Sequence, residues 1–288
     1  MVIVQLSGGL GNQMFEYALY LALAARGRQV KMDDVTCYGQ GTRPKQLDVF
    51  GIDYERASRE ELIQMTDASM APFQRIRRKL AGRRSKAYRE AGVNMDPTVF
   101  ERDPALLEGC FQSEKYFADC REQVREAFQF RGIENGKYPL PESFRELLTQ
   151  IEGTQSVGVH IRRGDYLDPS HGGIYTGICT PDYYSRAFAR IRERYPAAVF
   201  YLFSNDPEWT GAHFGGADMR LVTGSTEETG YLDLFLMSRC RHQIIANSSF
   251  SWWGAWLNGN PEKMVIAPER WLNGQTCEDI YTEDMIRI

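Results

Sequence analysis

The sequence predicts an α/β protein made of two modules, each with alternating strands and helices. The first observation is a short β-branched apolar run at residues 2–6, which precedes a glycine loop, a helical segment and a second strand and so forms a βαβ unit. The second is a similar apolar run at 155–161, followed by regular strand–helix alternation. The length of 288 residues suits two domains of about 100–200 residues each.

The first module is predicted over residues 1–152. Its opening strand leads through the glycine loop into a helix over 14–25, which Gly27 ends, and residues 29–33 form the next strand. The segment 55–90 carries more charge and is predicted to be mainly helical.

The second module is predicted over residues 153–288. A helix at 142–151 precedes it, and the strand at 155–161 begins it. The apolar patterns then alternate, with helices predicted over 181–194, 231–240 and 251–257 and strands over 199–203, 243–246 and 264–267.

The composition is that of a globular protein. Hydrophobic residues make up 43% and charged residues 25%, which excludes global disorder. No window approaches the roughly 18–20 apolar residues that a membrane span requires. The 34 Lys and Arg against 38 Asp and Glu give a net charge of −4, which argues against a nucleic-acid binder.

The first residues and the cysteines predict a cytoplasmic protein. The chain starts with an apolar strand and glycines rather than with a secretion signal. Six cysteines occur without a CxxC pair, so we expect free thiols rather than disulfides or a zinc site: Cys37, Cys110, Cys120, Cys179, Cys240 and Cys277.

A basic segment runs from Arg75 to Arg89. It contains eight Lys or Arg residues and no acid, with Phe73, Ile76 and Leu80 at helical spacing beside or within it. One interpretation is a solvated helix face. The other is a surface for anionic lipid or a phosphate-bearing acceptor, which predicts peripheral contact with the inner face of the membrane.

The glycine loop resembles the start of a dinucleotide fingerprint. Gly9 and Gly11 lie between a strand and a helix, and Asp33 follows at about the distance of a ribose-binding acid, but Met14 replaces the third glycine. One alternative is therefore an NAD-dependent dehydrogenase, and another is a simple turn. Asn12 and Gln13 add two amides that can bind a polyhydroxylated or phosphorylated ligand.

A second constellation spans residues 160–166, at the carboxyl end of a predicted strand, where α/β sheets bind their ligands. Arg162 and Arg163 supply bidentate donors suited to a diphosphate. His160 lies two residues before Arg162, and Asp165 follows a turn at Gly164. The alternative is a surface cluster of ion pairs.

A third constellation spans residues 244–257, where an apolar strand leads through a hydroxyl-rich turn into a helix. Ser248, Ser249 and Ser251 can cap that helix or help its N-terminus to bind an anion. The tryptophans that follow are expected in the core; a non-enzymatic carbohydrate-binding protein would instead expose them as stacking platforms: Trp252, Trp253 and Trp256.

Several familiar sites are absent from the sequence. There is no GxxxxGK[ST] phosphate loop and no Asp-x-Asp pair, and the four histidines are scattered. We therefore expect no metal, so that arginines and helix N-termini would neutralise a leaving diphosphate.

Taken together, these strings resemble those of the α-1,2-fucosyltransferases, in the expected order and over nearly the whole chain. The resemblance is carried by GGLGNQMF at 8–15, FQSEKYF at 111–117, HIRRGDY at 160–166, FSND at 203–206, MSRCRH at 237–242 and NSSFSWWGAWL at 247–257. One departure is Glu16, where the family more often has Gln.

The resemblance implies a GT-B type enzyme with two Rossmann-like domains that face a central cleft. The N-terminal domain would take the acceptor and the C-terminal domain GDP-fucose. The implied reaction is inverting and metal-independent: L-fucose passes from GDP-β-L-fucose to O2 of a terminal β-galactoside on an oligosaccharide or glycolipid, in the synthesis of a surface glycan such as O-antigen or capsule.

The resemblance also implies roles for individual residues. The catalytic set is Arg162, Asp165 and Asn12. The predicted donor contacts are His160, Arg162, Arg163, Asn205, Ser248, Ser249, Phe250 and Ser251. The predicted acceptor side comprises Gly9, Asn12, Gln13 and Gln112.

Overall fold

The computed structural model describes residues 1–38, 43–168 and 173–288, except for the side chains of Asp165 and Leu167. The chain divides into two compact units. The first comprises Met1–Asp48 and Ile52–Ala127, and the second comprises Val49–Gly51 and Phe128–Ile288.

The first unit contains a parallel sheet that has four strands within the described residues. The strands are β1 (Val2–Gln5), β2 (Val30–Asp33), β3 (Ala87–Arg89) and β4 (Ala105–Glu108). Their order across the sheet is β2-β1-β4-β3. Residues 2–4 of the central strand β1 are completely buried, as in a sheet covered on both faces.

The helices of the first unit are α1 (Leu10–Ala25), α2 (Arg59–Thr66), α3 (Pro72–Ala81) and α4 (Arg121–Ala127). Helix α1 buries a broad apolar face that includes Met14, Ala18 and Leu19. Helix α2 begins at a capping box, in which the Ser58 hydroxyl accepts from the N–H of Glu61 and the Glu61 carboxylate accepts from the N–H of Ser58.

The second unit contains a parallel sheet with six strands in the part of the chain that the structure describes. They are β5 (Gln155–Ile161), β6 (Ala198–Ser204), β7 (Met219–Leu221), β8 (His242–Ile244), β9 (Val265–Ala267) and β10 (Met285–Arg287). Their order is β10-β9-β8-β5-β6-β7.

The helices of the second unit are α5 (Arg131–Glu134), α6 (Glu142–Gly153), α7 (Pro181–Arg194), α8 (Pro207–His213), α9 (Tyr231–Arg239) and α10 (Ser249–Leu257). Helix α7 begins at Thr180, whose hydroxyl accepts from the N–H of Tyr183. Its inner face packs Phe188 against Phe200 of β6, with ring centroids 4.9 Å apart. The predicted α/β class is thus confirmed in both units.

The tryptophans of α10 belong to the core of the second unit. Trp252 and Trp253 are completely buried and Trp256 nearly so. The Trp252 indole N–H donates to the carbonyl of Ile280 at 2.6 Å, and the ring of Trp253 meets Phe128 edge-on at 5.0 Å. The expectation of a packing role is confirmed, and exposed stacking platforms at these positions are excluded.

The division between the units differs from the predicted boundary near residue 152. Phe128 packs against Trp253, and Phe130 packs against Phe235 of α9, with ring centroids 5.2 Å apart. Helix α6 also packs against α9. Residues 128–152 therefore belong to the second unit. Phe50 belongs to it as well, because its ring packs against Phe128 and Phe130.

The structure also bears on the predictions about the cysteines and about membrane-spanning helices. All six cysteines lie in described residues and all are free. Between residues 1 and 288, leaving out 39–42 and 169–172, no helix is both long enough and apolar enough to cross a membrane.

The assignment of Phe128 to the second unit predicts a stability effect. We expect Phe128→Ala to destabilise that unit by about 3–5 kcal/mol, because it leaves a cavity against Trp253 and Phe50. Urea unfolding followed by tryptophan fluorescence measures this, since all five tryptophans lie in the second unit. Leu221→Ala, on the exposed edge strand, is the control and should cost less than about 1 kcal/mol. An unchanged fluorescence transition in Phe128→Ala would contradict the assignment.

Candidate functional site

The strand order of the second sheet creates a switch point between β5 and β8. From β5 the chain proceeds outward through β6 and β7, and then returns to the other side of β5 with β8. The connections therefore leave the carboxyl ends of β5 and β8 in opposite directions, which opens a crevice there. Ligands of open α/β sheets bind in such a crevice.

The switch point brings together two of the predicted constellations. The His160 ring, at the end of β5, lies 5.4 Å from the ring of Phe250, in the first turn of α10. The Tyr166 hydroxyl, after β5, donates to the carbonyl of Asn247, after β8, at 2.9 Å. The segments 160–166 and 247–251 are therefore neighbours in the second unit.

His160 is fixed at the base of this surface. Only 4% of it is exposed, and its carbonyl accepts from the hydroxyl of Tyr184 on α7 at 2.9 Å. Because its backbone and ring are both held, His160 can contact a ligand with little loss of side-chain entropy.

The two arginines after β5 have different surroundings. The backbone N–H of Arg163 donates to the side-chain oxygen of Asn205 at 2.9 Å. Its guanidinium donates to Asp206 at 3.3 Å and lies 3.7 Å from the ring centroid of Trp209. Arg163 is therefore tied to the start of α8, where the other oxygen of Asp206 accepts from the N–H of Trp209.

Arg162 points to a different neighbour. Its guanidinium carbon lies 5.6 Å from the ring centroid of Tyr166, and that ring stacks on Tyr175 at 4.5 Å. The aromatic pair supports the cation through its π face. The hydroxyl of Tyr166 also donates to the carbonyl of Asn247. The ring that Arg162 contacts therefore links the segment after β5 to the segment after β8.

The first turn of α10 divides the predicted serine contacts. Ser248 is the N-cap, but its hydroxyl does not accept from an N–H of the helix. Ser251 is completely buried, and its hydroxyl donates to the carbonyls of Ala246 and Ser248 at 3.3 Å. Ser251 thus holds the turn from within, whereas Ser249 and Phe250 are only partly buried.

Asn205 and Gly164 pack closely around the turn that follows Arg163. A β-carbon at Gly164 would lie 2.5 Å from the side-chain nitrogen of Asn205, so no larger residue fits without displacing that amide. Asn205, itself exposed, therefore orients the backbone beside the crevice. The side chain of Asp165, one of the predicted catalytic residues, lies outside the described residues.

The first sheet has a switch point of its own between β1 and β4. Gly8 follows β1 with a φ of 65°, and a β-carbon there would meet the side-chain nitrogen of Asn12 at 2.7 Å. The Asn12 oxygen accepts from the Gln112 amide at 2.9 Å, and its nitrogen donates to the sulfur of Cys110 at 3.3 Å. Asn12 and Gln112, both predicted acceptor-side residues, are thus in direct contact.

Two residues singled out in the first half face inward. Gln13 is completely buried; it donates to the carbonyls of Gly8 and Pro44 and accepts from the N–H of Gln46. It therefore shapes the loop from behind.

Asp33 also faces inward and is 1% exposed. It accepts from the N–H groups of Val35 and Thr36 and from the Gln5 amide. In this structure it closes a turn, which is not the position that a ribose-binding acid needs.

Two carboxyl groups at this edge, one buried and one partly buried, were not predicted as site residues. Glu16 is completely buried and accepts from the N–H and hydroxyl of Ser7 at 2.9 and 2.6 Å. Glu90 accepts from the N–H groups of Cys110 and Phe111 at 2.9 and 3.0 Å. Burial raises the pKa of both carboxyl groups, and the charge of Glu90 raises the pKa of Glu16 further.

Within the part of the chain that the structure describes, there is no group of three or more His, Cys, Asp or Glu residues arranged to hold a metal ion.

Comparison with known proteins identifies the family. A family model described as glycosyl transferase family 11 matches residues 94–288, more than half of the chain. The protein belongs to glycosyl transferase family 11. An α-1,2-colitosyltransferase from Escherichia coli is 32% identical, with alignment over 100% of this chain and 98% of its own length.

Two further relatives support the assignment. The O-antigen biosynthesis glycosyltransferase WbnK from Escherichia coli is 30% identical, over 98% of this chain and 99% of its own. The galactoside α-(1,2)-fucosyltransferase 1 of Saimiri boliviensis boliviensis is 29% identical, over 88% of this chain and 64% of its own. The chain is therefore a glycosyltransferase of the α-1,2-fucosyltransferase family rather than a dehydrogenase.

The environment of Glu16 predicts a pH effect. Because burial raises its pKa in the folded state, the contribution of Glu16 to the stability of the wild type falls as pH rises above the ordinary value near 4.5, where the unfolded chain releases the proton first. A Gln side chain supplies an acceptor for the Ser7 N–H and a donor for its hydroxyl. We expect Glu16→Gln to be more stable than wild type at pH 8 by more than ~1 kcal/mol and equal to it near pH 4.

Chemical unfolding followed by far-UV circular dichroism at the two pH values measures the difference. The control is Glu122→Gln, at an exposed position on α4, which should leave the pH dependence unchanged. A Glu16→Gln variant that is less stable than wild type at pH 8 would show that Glu16 is needed as a carboxylate.

Proposed function

We propose that the protein transfers L-fucose from GDP-β-L-fucose to O2 of a terminal β-galactoside, with inversion and without a metal, in the synthesis of a surface glycan. Support comes from membership of glycosyl transferase family 11 and from relatives named as an α-1,2-fucosyltransferase and an O-antigen biosynthesis glycosyltransferase. In this proposal, the terminal galactose belongs to an oligosaccharide or a glycolipid.

The observation that carries this proposal is the switch point, where Arg162 follows β5 and the first turn of α10 follows the adjacent strand β8. The C1–O bond to the diphosphate breaks during transfer, and negative charge develops on the leaving GDP. A guanidinium offers paired donors to phosphate oxygens, and a helix N-terminus offers N–H groups with a favourable dipole. Both groups are already in place, so they stabilise that charge with little reorganisation.

In the proposal, some of the remaining predicted donor residues contact GDP-fucose and others hold the loops in position. His160, Phe250 and Ser249 line the crevice, with Ser248 at the start of the helix. Arg163 and Asn205 hold the loop after β5 in position through their mutual hydrogen bond. Ser251 acts through the turn that it supports rather than by contact.

The acceptor is assigned to the loops after β1 and β4 of the first unit. The side-chain amides of Asn12 and Gln112 contact each other there, and the backbone N–H of Asn12 donates to the carbonyl of Gly9. Amides bind sugar hydroxyls as both donors and acceptors. The contact between the two side chains orients Asn12 through its oxygen. Gln13 supports the same loop from its buried position.

The proposed reaction is a single displacement. The acceptor O2 attacks C1 of fucose from the face opposite to the diphosphate, the O2–C1 bond forms as the C1–O bond breaks, and the acceptor proton passes to a base. A carboxylate within hydrogen-bond reach is the usual base. Asp165 is the proposed base from its place in the sequence, two residues after Arg163.

A second candidate donor follows from the colitosyltransferase relative, which aligns over the whole chain. Colitose is fucose without the hydroxyl at C3. A site built to bind that hydroxyl rejects a sugar that lacks it by a factor of about 10⁴. Direct competition between GDP-fucose and GDP-colitose therefore separates the two: we expect fucose in the product, and preferential incorporation of colitose would replace the proposed donor.

Incubation with GDP-fucose and a panel of β-galactosides, followed by linkage analysis, tests the function. We expect an α-1,2-linked product that forms equally well with a metal chelator present. Arg162→Ala should lower kcat by about 10²–10³, because it removes a main source of charge stabilisation, and Arg162→Lys should recover part of it. Arg190→Ala, exposed on α7, is the matched control and should retain wild-type activity. Near-normal transfer by Arg162→Ala would overturn the assignment.

The proposed base is tested separately by Asp165→Asn. We expect kcat to fall by about 10²–10⁴, because the amide cannot take the acceptor proton, while the affinity for GDP stays within a factor of about three. Steady-state kinetics and calorimetric titration with GDP measure the two effects. A loss of less than about tenfold in kcat would remove Asp165 as the base.

A further inference from the structure

Helix α3 exposes an apolar strip. The exposed fractions are 75% for Phe73, 59% for Ile76 and 82% for Leu80, and Met70, just before the helix, is 74% exposed. No residue of α3 is buried. Most of the large apolar side chains that are exposed in the described residues lie in this short segment, although such side chains normally lie scattered over a surface.

The apolar strip points away from the body of the first unit. At 3.6 residues per turn, Phe73, Ile76 and Leu80 fall within about 60° of one another around the helix. The inner face is centred about 120° away, where Arg77 and Arg78 are only partly exposed.

The two inward arginines fasten α3 to the preceding loop. Both pair with Asp67, and Arg78 also donates to the carbonyl of Ser69 at 2.5 Å. The other carboxylate oxygen of Asp67 accepts from the N–H of Arg84 at 2.9 Å. The helix is thus held by its basic inner face, which leaves the apolar strip on the outside.

Exposed cations flank the apolar strip. Arg75 and Lys79 lie on the helix, and Arg83, Arg84 and Lys86 follow it, all of them exposed. No acidic residue occurs from position 75 to position 89.

The combination of apolar strip and cations selects one kind of partner. A polyanion such as nucleic acid would satisfy the cations but leave the apolar strip in water. A second copy of this chain would cover the strip but bring two sets of cations together, which costs energy. An anionic lipid surface satisfies both, because apolar side chains enter the acyl boundary while Lys and Arg meet the headgroups.

We propose that α3 lies in the plane of an anionic phospholipid surface, with Phe73, Ile76 and Leu80 toward the acyl chains and Arg75 and Lys79 among the headgroups. Arg77 and Arg78 anchor the helix to Asp67 and do not contact lipid. This surface is independent of the proposed transfer reaction.

Flotation with vesicles tests the proposal. The probes are vesicles of phosphatidylcholine alone and of phosphatidylcholine with phosphatidylglycerol. We expect the full chain to float with the anionic vesicles only, and less so at high salt. Removing two cations in Arg75→Gln/Lys79→Gln should weaken partitioning about 30-fold, the equivalent of ~1 kcal/mol per cation. Phe73→Ser/Leu80→Ser, which keeps every charge, should weaken it at least about tenfold.

The matched control is Arg186→Gln/Arg190→Gln, which removes two exposed cations from α7 and should bind like wild type. Unchanged thermal unfolding of every variant, followed by circular dichroism, shows that the fold is intact. Equal binding to both vesicle types, undiminished binding by either α3 variant, or a dimer in light scattering that Phe73→Ser/Leu80→Ser dissociates would each overturn the proposal. Because binding is measured without substrate, a failed transferase assay leaves this test unaffected.

Discussion

The candidate site depends on the reversal of strand order between β5 and β8. A parallel sheet brings the carboxyl ends of its strands to one edge, and the reversal turns the following loops away from each other. Across this switch point, the His160 ring lies beside the Phe250 ring, and the Tyr166 hydroxyl donates to the carbonyl of Asn247. Residues about 85 positions apart in sequence become neighbours for this reason alone.

The same constraint is consistent with the anion site that we propose in an acidic protein. The net charge of −4 is a sum over the whole chain, whereas a ligand responds to charges within a Debye length, about 8 Å. Next to the crevice, Asp206 neutralises Arg163 and thereby fixes the loop, while Arg162 rests on the Tyr166 ring. Arg163 thus positions the backbone, and Arg162 is the arginine that we propose binds a phosphate.

The sequence predicted the elements with strong patterns. The bounds of β5 and α7 agree with the prediction residue for residue, because a long apolar run and a capped amphipathic helix are unambiguous signals. Strands β3 and β4 were missed: Ala87–Arg89 lies in a basic segment with helical character, and Ala105–Glu108 contains good helix formers that form a strand only because β1 pairs with them. Glu90 follows one of these strands, so its role could not be foreseen. Tyr166, by contrast, belongs to the motif at 160–166. Its hydrogen bond to Asn247 could not be predicted, because that contact depends on the strand order.

Hydrogen–deuterium exchange with and without GDP tests the central claim most directly, because it reports which segments the nucleotide contacts. We predict slower exchange in residues 160–166 and 247–251 of the second unit and no change in residues 7–13 of the first. Protection confined to residues 7–13 would place the nucleotide on the glycine loop and contradict the assignment of the donor to the β5–β8 switch point.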